Sequence, residues 1–271
     1  TILNNAINIL NLPDGYKGTG RPSIPISEKL KILCIKQFTL KGARRTVHSI
    51  ESARAMNYLF VPNISDNYFN RINDYMRDES LTEYLQQLIS LLAEPLIALE
   101  HNFAVDGTGF KIGYAKKNYK SVRTNFKLKR EYIGFHAICG VNTKVIPHCI
   151  ISKGSEHDSK FFKPLLLKTN ELFNVNEVYA DSAYLSKKIV NLCNSLNVKS
   201  FIKPKETTQL EKLKDSVWNK AIERYYEDED KGVERRYSLR SNIESCFHSI
   251  KSVNSDILRH KTFTGRKNEV L

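Results

Sequence analysis

Two aspartates sit where carboxylate chemistry could be assembled. Asp106 closes the apolar run Phe103-Ala104-Val105 within Asp106-Gly107-Thr108-Gly109-Phe110, and Asp181 closes a second run within Ala180-Asp181-Ser182-Ala183-Tyr184. If the two runs are neighbouring strands, the carboxylates lie side by side at one edge of a sheet. Like charges that close repel unless a proton or a cation intervenes, and oxygen ligands of this kind suit magnesium or manganese. Taken alone, neither aspartate compels that reading, because an Asp-Gly pair is more often a turn.

A third acidic residue stands in the most patterned segment of the chain, Tyr237 to Lys251. Wound on a helix at about 100° per residue, Tyr237, Arg240, Glu244, His248 and Lys251 fall within an arc of roughly 80°. Leu239, Ile243, Cys246 and Ile250 point the other way, toward a core. One face thus offers a carboxylate flanked by cations and a ring. A solvated face with an i,i+4 Arg–Glu pair would give the same spacing.

The elements that must position these groups change character near residue 100. Before it the periodicity is helical: Leu30, Leu33 and Phe38 follow Ser27 as N-cap, with Gly42 closing the segment. Further helices are expected over residues 43–57 and 65–77, and a last one opens with Ser80 and Glu83 in capping-box spacing and runs through Leu81, Leu85, Leu88 and Leu92. Residues 1–100 are therefore expected to form an all-helical domain for DNA binding or oligomerisation, with Arg44, Arg45, Arg71 and Arg77 available to DNA. Beyond residue 100, strands alternate with helices: strands over 103–106, 132–141, 145–152, 177–180 and 199–202, and helices over 159–168 and 186–196. With a final helix, that order is α/β and ribonuclease H-like: a mixed five-stranded sheet flanked by helices. The segment 203–236 is highly charged and has little strand character.

Composition supports a folded chain with a polyanionic partner. Hydrophobic residues make up 41% and aromatics 10%, which excludes a disordered tail. Forty-two Lys and Arg against 29 Asp and Glu leave a formal charge of +13. Residues 1–100 carry 11 basic and 10 acidic side chains, so the excess lies further on. Its densest piece contains Lys111, Lys116, Lys117, Lys120, Arg123, Lys127, Lys129 and Arg130 with no acidic residue, interleaved with Tyr114, Tyr119 and Phe126. Such a strip can neutralise phosphates and stack on bases, or it can be a hairpin with a basic, solvated edge.

Five scattered cysteines, an odd number without a CxxC pair, point inside the cell and away from a zinc site or a disulfide framework. The most apolar stretch, residues 81–99, is broken by Glu83, Glu94 and Pro95, so no membrane partner is expected, and no signal peptide is visible.

Taken together, Asp106-Gly107-Thr108, Tyr179-Ala180-Asp181-Ser182-Ala183-Tyr184 and the Tyr-x2-Arg-x3-Glu-x6-Lys array at Tyr237, Arg240, Glu244 and Lys251 resemble the motifs of the IS4-type DDE transposases, an insertion-sequence family of bacteria and archaea. The likeness covers roughly residues 100–271, with Gly20-Arg21-Pro22 as a looser match before it. The resemblance implies a catalytic domain over residues 101–271, in which Asp106, Asp181 and Glu244 are catalytic and hold two magnesium or manganese ions. It implies that Tyr237 and Arg240 contact the transposon end and that Lys251 contacts backbone phosphate; the basic strip, by its charge, is expected to bind DNA through Lys116, Lys117, Lys120 and Arg123. The resemblance further implies double-stranded DNA partners (terminal inverted repeats and target), a homodimer assembled on DNA, and a prokaryotic cytoplasmic, nucleoid-associated location. The departures are a short interval from Asp181 to Glu244, without the β-rich insertion of some relatives, and few residues after Lys251. A DNA-binding derivative without catalysis and a metal-dependent nuclease are the competing readings. Asp158 is expected as an N-cap, His157 near the site, His248 as a supporting partner on the active face, and Trp218 as a packing residue.

Overall fold

The computed structural model describes residues 2–13, 24–39, 42–56, 68–113, 132–154, 156–213, 215–232 and 235–271. In chain order they form α1 (Ile2–Ile9), α2 (Ile26–Thr39), α3 (Ala43–Ala55), α4 (Tyr68–Tyr75), α5 (Glu79–Ala93), β1 (Asn102–Ile112), β2 (Tyr132–Gly140), β3 (His148–Lys153), α6 (Ser159–Leu172), β4 (Glu177–Ala180), α7 (Lys187–Ser195), β5 (Lys199–Ile202), α8 (Val217–Glu229), α9 (Ser241–Asn254), β6 (Ile257–Leu258) and α10 (Phe263–Val270). The basic strip at Lys116, Lys117, Lys120 and Arg123, like Gly20-Arg21-Pro22, lies outside the described residues. Two compact units emerge, one of residues 1–92, 111–131 and 254–271, the other of residues 93–110 and 132–253.

In the first unit, α2 buries two sides. Leu30 and Leu33 join Ala6, Ile7, Leu81, Leu85 and Leu88, while Ile32 joins Val47, Ile50 and Ile72. Phe38, expected on the buried face, is 83% exposed, because at about 100° per residue it projects away from both clusters. Ser27 is not the cap of α2, which already starts at Ile26, and Gly42 is the N-cap of α3. The capping box at Ser80 is likewise displaced, because α5 starts one residue earlier and Asp78 accepts from the Ser80 amide and hydroxyl at 3.1 and 2.7 Å. From α10, the buried Asn268 accepts from the Thr82 hydroxyl at 2.6 Å and donates to the carbonyls of Met76 and Asp78 at 3.1 Å each.

The second unit is built on the sheet, whose strand order is β3-β2-β1-β4-β5. β2 and β3 run antiparallel, whereas β1, β4 and β5 run parallel with α6 and α7 in the crossovers. This mixed order is that of a ribonuclease H-like fold. Phe103, Val105, Val178 and Ala180 from the strands meet Phe162, Leu165, Leu166 and Ile189 from the helices, all with less than 7% of their surface exposed. Burial of each large apolar side chain contributes about 1.5–3 kcal/mol. Ser186 and Ser216 cap α7 and α8, accepting from the Ile189 and Asn219 amides. Helix α9 joins the sheet through Phe247, whose ring meets Phe135 edge-on at 5.8 Å, and through Cys246, whose thiol lies 2.8 Å from that of Cys139.

A buried glutamate sets the start of β1. Glu100, fully buried, accepts from the amides of Asn102, Asn142 and Thr143 at 3.2, 2.9 and 2.8 Å, and from the Thr143 hydroxyl at 3.0 Å. Gly140 makes room for it, since a Cβ there would lie 2.6 Å from the carboxylate.

Candidate active site

Asp106 does not end its strand. β1 continues to Ile112, so Asp106 lies inside it. The continuation has a structural cause: β1 keeps β2 along one side, and its far end pairs with β6, Lys111 with Ile257 and Ile112 with Leu258. What stops near Asp106 is β4, whose ladder with β1 runs from Asn102 and Glu177 to Ala104 and Tyr179. The same register carried two residues further sets Asp106 across from Asp181. The Asp181 carboxylate accepts from the Ala183 amide at 2.8 Å and caps the 3-10 turn Ser182–Tyr184.

The Tyr237–Lys251 segment is not one α-helix. Residues Arg236–Arg240 form a 3-10 turn, and α9 begins at Ser241. The break follows from Asp228 at the end of α8, only 1% exposed, which accepts from the Arg236 and Tyr237 amides at 2.8 Å each and pins the turn. The Tyr237 ring packs edge-on against Tyr225 at 5.1 Å. Arg240 donates to Glu244 Oε1 at 2.6 Å and reaches Asp106 Oδ2 at 3.4 Å, so one guanidinium spans the first and third carboxylates. Lys251 donates to the Thr108 hydroxyl at 2.5 Å and stands over the Phe110 ring. The array is thus joined to the Asp106-Gly107-Thr108 motif through Arg240 and Lys251. His248 is exposed and lies one turn beyond Glu244 on α9. Trp218 is half-buried and donates from its ring to the Gln209 carbonyl at 3.0 Å.

Two further residues, Asp158 and His136, border this site. Asp158 occupies the N-cap position of α6 but makes no capping hydrogen bond; its carboxylate instead lies 3.0 Å from His136 Nδ1. His136 is buried in β2, its other ring nitrogen 2.8 Å from the Ser152 hydroxyl and its ring stacked on Phe161 at 3.9 Å. A Cβ on Gly107 would meet Asp158 at 2.6 Å and His136 at 2.9 Å, so the glycine after Asp106 admits the pair. A lone histidine in an apolar strand carries no periodic signal; only the position of Asp158 before a helix hinted at it. His157 is exposed.

Burial, with Asp181 and Asp158 adding to it, pushes the Asp106 carboxyl up to about 6, against a hydrogen bond from Gly107 and the pull of Arg240. Burial also raises the Tyr184 hydroxyl, which feels Asp106, Asp158 and Asp181 and has no hydrogen-bond partner among the described residues. Burial opposes the Arg240 charge, but Tyr237, Glu244 and Asp106 outweigh it and hold the guanidinium above its ordinary range. Burial lowers His136 despite Asp158 and Glu156.

Among the described residues, no three His, Cys, Asp or Glu side chains stand close enough to share a metal ion. The donor chemistry nonetheless fits a hard divalent cation. The Asp106 carboxyl with its raised proton affinity and the orphaned buried Tyr184 hydroxyl are the surroundings that such an ion and its waters would satisfy. No helix among the described residues is long and apolar enough to cross a membrane.

A search of the curated proteins gave no match. Among solved structures, the Mos1 transposase paired-end complex with left transposon end is similar at 9% identity and a TM-score of 0.28, over 91% of this chain and 83% of that one, a likeness too slight to argue from. The family model described as "Transposase DDE domain" matches residues 100–271, the span that holds Asp106, Asp181, Arg240 and Glu244. By that match, the chain belongs to the DDE-domain transposase family.

Proposed function

We propose that the chain is an IS4-type insertion-sequence transposase that cuts DNA strands at transposon ends and transfers them to a target, with Asp106, Asp181 and Glu244 as its catalytic carboxylates. One arrangement supports the reading: the register of β1 and β4 sets Asp106 across from Asp181, and Arg240 ties Asp106 to Glu244 at 3.4 and 2.6 Å. The three carboxylates would hold two magnesium or manganese ions, which when bound supply an activated oxygen nucleophile and steady the leaving oxygen of an in-line phosphoryl displacement.

The chain's own groups do the positioning. Arg240 offers a planar fork for a phosphate and reaches the site from the pinned 3-10 turn. Tyr237 presents a half-buried ring for a base of the transposon end, and Lys251 an ammonium for backbone phosphate. The helical residues 1–100 would serve DNA binding or oligomerisation, and residues 101–271 catalysis. Double-stranded DNA with terminal inverted repeats and target DNA are the partners, engaged by a homodimer assembled on them.

The test is a magnesium-dependent cleavage assay on cloned flanking repeats. Asp106→Asn, Asp181→Asn and Glu244→Gln are each expected to abolish cleavage while leaving repeat binding intact. Full cleavage by any one of them removes that residue from the catalytic set. A wild-type chain that binds repeats without cutting them supports a DNA-binding derivative, and cleavage without regard to repeats supports a nuclease.

A further inference from the structure

The first unit contains a cavity of about 300 Å³ between α2, the start of α3 and the segment that follows α9. Its walls include Lys36, Asn73, Asn254, Arg259, His260 and Glu269. None of these belongs to the site around Asp106.

The polar groups of this cavity are out of balance. Among the described residues Glu269 is its one carboxylate, and its oxygens are already engaged: both face the Arg259 amide at 3.0 Å, and Oε2 accepts from the His260 amide at 2.9 Å. That leaves Lys36 and the exposed Arg259 as cations, with Arg77 near enough to be felt at His260. Burial holds the Lys36 ammonium below the ordinary lysine range, with Arg259 adding to the effect and Glu269 opposing it. His260 is lowered chiefly by burial, with Arg77 and Lys36 pushing the same way against Glu269. Both groups therefore gain if an anion arrives. The wall also contains Ser255, a non-glycine residue at φ 69°, a conformation found where surrounding structure enforces it and often beside ligands. At about 30 Å³ per water, the volume holds a phosphodiester group and several waters.

We infer that this cavity binds a phosphate of the DNA backbone, held by Lys36 and Arg259 with His260 beside it. The inference rests on the DNA-binding reading above and adds to it a contact remote in sequence from the carboxylates. The exposed Arg259 lets a polymer reach the cavity, whereas a closed pocket would admit only small ions.

Two measurements on the full chain, both without divalent metal, decide it. In the first, inorganic phosphate is titrated while the His260 ring is followed by NMR across pH. Its titration midpoint should rise with phosphate in the wild type and stay put in Lys36→Gln/Arg259→Gln. In the second, duplex affinity is measured against salt. The double variant should bind about 5- to 10-fold more weakly at 0.1 M salt, with the log–log slope flattened by about 0.9, the value for one lost phosphate contact.

A phosphate response without a change in duplex binding overturns the DNA assignment in favour of a small phosphate-bearing ligand. Weaker duplex binding without a His260 response overturns the cavity as the place of contact, and no change in either overturns both. A wild type that takes phosphate but no duplex at all defeats the DNA reading of the whole chain. A duplex-binding wild type matched by the double variant defeats this site alone.

Discussion

Arg240 and Glu244 form a 2.6 Å ion pair across one turn, and the same guanidinium extends 3.4 Å to Asp106. A cation thus lies between two of the proposed catalytic carboxylates. Arg240→Ala is expected to lower cleavage on the order of 100-fold, by removing a preorganised charge from the site, while duplex affinity falls by a much smaller factor. Arg240→Lys keeps the charge but not the fork, and should recover only part of the loss. Parallel measurement of cleavage and equilibrium binding checks this, and equal losses in both would remove Arg240 from the chemistry.

The raised Asp106 carboxyl links stability to pH. Its folded value of about 6 exceeds the ordinary 3.8, so protonation favours the folded state. Below about pH 4 the group is protonated folded or unfolded and costs nothing. As pH rises to 6 and beyond, the buried charge costs stability, at most about 3 kcal/mol for a gap of that size. Asp106→Asn should therefore melt higher than the wild type above pH 6, with the difference closing toward pH 4. Magnesium should raise the wild-type melting temperature increasingly as pH passes 6, and should do little for the variant. Identical melting curves at all pH values would contradict the burial of this charge.

Gly107→Ala places a methyl group 2.6 Å from the Asp158 carboxylate and 2.9 Å from His136. Asp158 is partly exposed and can yield, so the fold should survive with a small change in melting temperature. Cleavage should fall by about 10- to 100-fold, because Asp106 and its neighbours are displaced by a fraction of an ångström to an ångström. Unchanged cleavage would show that the Asp158–His136 pair has no bearing on the site.

Glu100→Ala strips three backbone amides of their acceptor in a fully buried place. The expected loss is about 3 kcal/mol in urea unfolding, from donors left dry and unpaired. A loss below about 1 kcal/mol would mean that water replaces the carboxylate.

Much of the sheet was legible from local pattern. β2, β4 and β5 lie within a residue of their expected spans, since apolar runs bounded by polar turns define them. β3 starts three residues late, at His148, and β1 runs six residues past Asp106. Neighbouring strands decide that length, and Gly107 and Gly109 locally argue against it. The nearness of Arg240 to Glu244 follows from an i,i+4 spacing, whereas the reach from Arg240 to Asp106 depends on tertiary packing. The 3-10 turn at Arg236 could not be foreseen, because its cause, Asp228, is an ordinary acidic residue in a charged helix until its two amide partners are seen. His136 was invisible for the same reason: its partner Asp158 is far away in the chain.

The grip of Asp228 on residues 236 and 237 means that Tyr237 takes its bearings from the end of α8 and not from the chain leaving β5. Between them, Lys205, Glu206 and Thr207 form an exposed turn whose length has no part in aiming the ring. Extra chain spliced in there, whether by evolution or by design, should leave the aromatic anchor undisturbed, which makes this turn a natural graft point for an added module.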